Sequence, residues 1–138
     1  MKLLSVLLIL CALPLAGCAG TGAPADVPRD FEDLPRTYIV FFAFDSAALD
    51  EAALGVIVQA AQDSLQYQPM TIEIAGLSGE GLGARMSPEL AARRFSAVEE
   101  ALIAQGLDSS LFARSELMVD PNLPDFAVHR IEIHLELP

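Results

Sequence analysis

The chain has 138 residues, enough for one domain with appendages. It carries 19 acidic against 8 basic residues, a formal net charge of −11. That balance argues against nucleic acid as a partner and against an electrostatic grip on anionic lipid.

The N-terminus reads as a targeting segment. Met1-Lys2 is a short positive start, Leu3 to Leu13 is an apolar run, and the small residues Leu15-Ala16-Gly17 lead to Cys18. This is a secretory layout, and the apolar run is short for a membrane span. An ordinary cleaved signal or a simple anchor helix is the alternative. Leu-Ala-Gly-Cys at this place resembles the lipobox of bacterial lipoproteins. The resemblance implies cleavage before Cys18, a lipid on its sulfur and acylation of the new N-terminus. Several acyl chains make a stable anchor where one does not. Ala19 follows in place of Asp, which by the same resemblance favours the outer membrane. Cys11 would leave with the leader, so the mature domain would have no disulfide and would fold on its core. The leader also contributes to the positive mean hydropathy.

Residues 19–36 are small, acidic and Pro-containing, which predicts a linker. A flexible linker of that length spans about 25 Å on average and about 60 Å when pulled straight. Phe31 and Leu34 are candidates for docking on the domain edge.

Thr37 to Phe44, apolar on both faces, predicts a central covered strand with Tyr38 and its phenylalanines in the core. Leu49 to Tyr67 predicts a helix capped by Asp50, with Leu54, Ile57, Ala61 and Leu65 on its inner stripe and Ala53 and Ala60 close by. Pro69 stops it. Met70 to Ala75 is a second strand. A glycine-rich loop follows and ends at Ser87-Pro88, an N-cap and first-turn proline. The next helix buries Leu90, Ala97, Val98, Ala101 and Leu102 and stops at Gln105-Gly106-Leu107. Phe112 to Val119 is a weaker strand, and Val128 to Leu137 alternates as a strand with one wet face. The pattern is α+β, a two-layer sandwich in the order β-α-β-α-β-β, with a mixed sheet and helices on one face.

These residues resemble a family. Phe41-Phe42-Ala43-Phe44-Asp45-Ser46 with Leu49 resembles the opening Tyr-Phe-Asp-Phe-Asp-Ser-x-x-Leu of OmpA-like domains. Gly76 stands at the Gly of the family's Gly-His-Thr-Asp. Leu90, Arg94 and Val98 match Leu-Ser-x-x-Arg-Ala-x-x-Val at ungapped spacing. His129 to Ile133 resembles the closing Asn-Arg-Arg-Val-Glu-Ile. With the lipobox, the chain resembles the peptidoglycan-associated lipoprotein group. The organisation implied is a leader over 1–17, a lipidated Cys18 and linker over 18–36, and an OmpA-like two-layer domain over 37–138.

The resemblance implies non-covalent binding of peptidoglycan through the diaminopimelate of its stem peptide. Its amine calls for an acid, and its carboxylate for an arginine able to grip with two parallel bonds. Arg94 stands at the family's arginine, but Gly79 stands at its acid. Leu77-Ser78 replaces His-Thr, Leu82 replaces the next glycine, and Ser87 replaces an Asn. Glu80 is the nearest replacement acid, or a solvated loop charge. The candidate ligand residues are therefore Arg94, Glu80, Ser78, Gly79 and Ser87. Arg94 has a structural alternative, a salt bridge with an acid such as Asp45. Ser115-Glu116-Leu117 replaces a family Gly-x-Gly, so that rim of the site differs too. His129 and His134, five apart on the last strand, face opposite sides and make no metal pair.

No nucleophile motif, metal-ligand spacing or phosphate loop is present, so neither an enzymatic activity nor a cofactor is expected. Two functions remain. One is a lipoprotein anchored in the outer membrane with its periplasmic domain on peptidoglycan. The other is a divergent domain that has lost the wall and serves as a periplasmic module for an envelope protein partner.

Overall fold

The computed structural model describes residues 36–78, 86–118, 120, 122 and 124–138. The expected leader, Cys18 and most of the linker lie outside these residues, as do Gly79 and Glu80.

Strand β1 spans Arg36–Phe41, helix α1 Glu51–Tyr67, β2 Thr71–Gly76, α2 Pro88–Ala104, β3 Phe112–Glu116, α3 Asp125–Val128 and β4 Arg130–Glu136. A single 3-10 turn, Ser109–Leu111, leads into β3. The sheet order is β1-β4-β2-β3. β4 is antiparallel to both neighbours, and β2 and β3 are parallel with α2 as their crossover. The mixed α+β sandwich expected from the sequence is present, with α3 as a short addition before β4.

The helix ends follow local chemistry. The Asp50 carboxylate accepts from the Ala53 N–H at 2.8 Å, and the Ser87 hydroxyl accepts from Leu90 N–H at 3.1 Å with Pro88 in the first turn. After α2, Gly106 takes φ +95°, where a side chain would be strained. Leu107 N–H then returns to Leu102 O at 3.3 Å, and Leu107 tucks into the core.

One sheet face is dry. Val40, Ile72, Ile74, Ile131, Ile133 and Leu135 meet Ile57, Ala60 and Ala61 of α1 and Phe95, Val98 and Leu102 of α2. Each large aliphatic side chain buried there contributes about 1.5–3 kcal/mol. Gly76 marks the tightest approach: a Cβ there would lie 2.5 Å from Ile131 Cδ1 and 2.8 Å from Phe95 Cζ. On the other face Thr37, His134, Glu132 and Arg130 form a row. Thr37 Oγ1 lies 2.9 Å from His134 Nδ1, His134 Nε2 3.3 Å from Glu132, and Arg130 donates to Glu132 at 2.6 Å.

Three expectations need correction. β1 is an edge strand paired only with β4, not a central one, and ends at Phe41. Phe42 is buried, but Phe41 is 47 % and Phe44 76 % exposed. The inner stripe of α1 is Ala53, Ile57, Ala60, Ala61 and Ser64, with Leu54 and Leu65 exposed. Small residues let α1 lie close to the sheet, and Ser64 donates its hydroxyl to Ala60 O at 2.7 Å, so the serine is satisfied inside. His129 is not on the last strand but caps α3, one residue before β4 begins.

Candidate functional site

The C-terminal end of β2, the start of α2, the turn after β1 and the residue before β4 meet at one end of the sheet. A second, smaller apolar cluster binds them: Leu77, Met86, Leu90, Ala91 and Val128, with Ala47 and Leu117 against it. Leu77 and Met86 are the buried residues on either side of segment 79–85.

Arg94 lies at the centre and is 1 % exposed. Its place on α2, four residues after Leu90 and four before Val98, puts it on the helix's buried line. Its guanidinium is committed within the domain. Nε donates to Ser46 O at 2.8 Å and Nη2 to Ala43 O at 3.0 Å. Nη1 donates to Met86 Sδ at 3.2 Å and lies 3.2 Å from His129 Nδ1. A guanidinium has no acceptor, so His129 Nδ1 must offer its lone pair in that contact. Phe42 lies below the head, its ring centroid 5.0 Å from Cζ. Burial pushes the guanidinium below its ordinary pKa, and the negative charge of Asp45 partly opposes that shift.

The carbonyls that hold Arg94 belong to a tight turn. Ser46 N–H returns to Ala43 O at 3.2 Å, and Ser46 Oγ accepts from Ala48 N–H at 3.0 Å. Asp45 sits at φ 51°, a left-handed conformation that Asp tolerates better than most side chains. Arg94 therefore ties α2 to the β1–α1 turn through backbone oxygens. The salt bridge expected with Asp45 is not formed: backbone carbonyls are the hydrogen-bond partners, and Asp45 acts only through its field. Phe44, on the outer side of this turn, meets the His129 ring edge to face at 5.5 Å.

The other candidate residues are spread around this centre. Ser87 spends its hydroxyl on the α2 cap. Ser78 donates its hydroxyl to Glu116, the last residue of β3, which pairs in register with Gly76. Glu116 thus brings an exposed carboxylate to the end of β2, against Ser78. Gly79 and Glu80 lie outside the described residues.

Two residues of this end escape sequence reasoning. His129 hides in the closing motif, and only the α3 turn before it aims it at Arg94. Glu116 stands at the variable position between two altered family glycine positions, Ser115 and Leu117, and those flanking departures are the one available signal. Arg114, also on β3, is bidentate to Glu99 at 2.6 Å with its head 5.3 Å from the Phe95 ring centroid. That pair holds β3 to α2 and raises the Arg114 pKa. Among the described residues, no group of three or more His, Cys, Asp or Glu is placed to hold a metal ion, and no helix is long and apolar enough to cross a membrane.

The sequence matches no protein-family model, and no curated protein matches it. Solved structures do resemble it. The OmpA-like domain of FopA1 from Francisella tularensis aligns with a TM-score of 0.60 at 17 % identity, over 74 % of this chain and 72 % of that one. The periplasmic domain of Helicobacter pylori MotB aligns at 0.57 and 19 %, over 76 % and 78 %. The peptidoglycan-associated lipoprotein from Burkholderia pseudomallei aligns at 0.53 and 22 %, over 71 % and 88 %. With its mixed four-stranded sheet, its α2 crossover and Arg94 beneath the strand end, the chain has the fold of an OmpA-like domain.

Proposed function

We propose that this protein is a cell-envelope lipoprotein whose OmpA-like domain associates non-covalently with peptidoglycan. The lipid on Cys18 would hold it in the outer membrane, with residues 19–36 as the reach between membrane and wall. The observation that carries this reading is the convergence of the β2 end, the α2 start and Arg94 at one end of an OmpA-like fold. The resemblance to a peptidoglycan-associated lipoprotein supports the same partner.

The contact would be weaker than a full diaminopimelate clamp. Gly79 removes the acid expected for the amine, and one charge-assisted hydrogen bond is worth about 1.5–3 kcal/mol, or roughly ten- to a hundredfold in affinity. Glu80 follows that position in sequence, and Glu116 pairs in register with Gly76, three residues before it in sequence. Ser78 and Ser87 border the same end. A domain held near the wall by its anchor works at high local concentration, so a weak site suffices. No enzymatic step and no cofactor are part of this proposal.

A second reading rests on Arg94 itself. Its Nε, Nη1 and Nη2 all face partners inside the domain, Ser46 O, Met86 Sδ with His129 Nδ1, and Ala43 O, and a two-bond grip on a ligand carboxylate would have to displace some of them. On this reading the domain has kept the arginine for its fold and serves as a periplasmic interaction module for an envelope protein. Sacculi isolated without harsh detergent from cells producing the whole chain separate the two. Retention on sacculi that is released by muramidase digestion supports wall association. Recovery entirely in the membrane fraction, with a specific protein partner, supports the second reading.

A further inference from the structure

The solvent side of α2 carries an open groove beside the β1–α1 turn. Its volume is about 430 Å³, and it is lined by Ala47, Ala92, Arg93, Ser96, Ala97 and Glu100. The floor is made of short side chains, and the charged members are one cation and one anion. Arg93 and Glu100 are both exposed. They are seven residues apart, two helical turns, and therefore share one side of the helix about 10 Å apart.

This arrangement is self-complementary. Arg93 and Glu100 stand at equal distances on either side of a midpoint between Ser96 and Ala97. A second α2 laid antiparallel about a two-fold axis through that midpoint sets Ser96 against Ala97 of the partner subunit. It also sets Arg93 against Glu100 of the partner subunit, and Glu100 against Arg93 of the partner subunit. Both salt bridges form at once, as a two-fold contact requires. Ala92, Ser96 and Ala97 are short enough for the helix axes to approach to about 8–10 Å. A basic partner would call for an excess of acid in the groove. The groove instead balances one charge of each sign, and a second copy presents the same pair at the same spacing in reverse.

We propose that the outer face of α2 is a homodimer interface, with a second copy of this chain as its occupant. This does not rest on wall association, because Arg94, Ser78 and Glu116 stay outside the contact.

The test uses the whole chain produced in cells as two differently tagged copies, with a photo-crosslinking residue at position 96. The expected product is a crosslinked species carrying both tags. Arg93→Glu in both copies places like charges opposite one another and should cut that product about tenfold, as should Glu100→Arg in both. One copy with Arg93→Glu and the other with Glu100→Arg restores both opposite-charge pairs, and the crosslink should return. That rescue also shows that each variant folds. A missing two-tag product in the wild type, a crosslink to another protein alone, or a product indifferent to these charge reversals would overturn the proposal.

Discussion

Arg94→Met isolates what the buried guanidinium does for the fold. Methionine keeps much of the aliphatic stem and removes the head. The Ser46 and Ala43 carbonyls then lose donors at 2.8 and 3.0 Å. Ala43 O keeps the Ser46 N–H at 3.2 Å, so Ser46 O is the carbonyl left orphaned, at a cost of about 1–3 kcal/mol. Against this runs the relief of desolvating a cation, the effect that lowers the Arg94 pKa. The net expectation is a loss of about 1–3 kcal/mol, a large share of a small domain's stability. Urea unfolding followed by far-ultraviolet circular dichroism measures it, with an unchanged m-value showing that the transition itself is comparable. Arg94→Lys keeps a charge without the planar fork and should recover only part of the loss. A shift within about 0.5 kcal/mol of wild type for Arg94→Met, the range of ordinary surface substitutions, would refute the structural tie.

Other perturbations follow from the same geometry. Gly76→Ala drives a methyl into Ile131 and Phe95 and should cost about 1–3 kcal/mol in the same unfolding assay; a neutral result would mean the β2–α2 contact has slack to give. Burial, then the hydrogen bond its hydroxyl donates to Asp63, pushes the Tyr38 pKa up to about 12. The folded state therefore holds that proton more tightly than the unfolded chain does, so this contribution to stability is complete below about pH 10 and is lost as pH rises toward 12. Ultraviolet titration of tyrosinate should show a late phase that Tyr38→Phe removes, and a single phase near pH 10 would contradict the shift. Ser87→Ala removes the α2 cap and should cost about 1 kcal/mol by urea unfolding, with no change marking the cap as dispensable.

Local chemistry was legible from the residues, and long-range order was not. Asp50, Ser87-Pro88 and Gly106 act within a few residues of themselves, so the helix ends fall where their sequence signals stand. The edge position of β1 depends on pairing with β4 at the far end of the chain, which no local pattern encodes. TYIVFFAF looks covered on both sides, yet the sheet leaves Ile39 and Phe41 partly in solvent. In α1 the eye follows large residues, whereas the packed face uses Ala53, Ala60 and Ser64 because they allow close approach. Arg94's place on the buried line of α2 followed from its spacing to Leu90 and Val98. Its commitment to Ser46 O and Ala43 O did not, because backbone acceptors leave no trace in a side-chain pattern.

Wall association is tested most directly by sedimenting the purified chain, in mild detergent, with isolated sacculi beside its Gly79→Asp variant. Wild-type protein should pellet above background, and restoring the acid should raise its affinity about tenfold or more. Wild-type protein that stays in the supernatant, with Gly79→Asp doing no better, would contradict a wall-binding role for this domain.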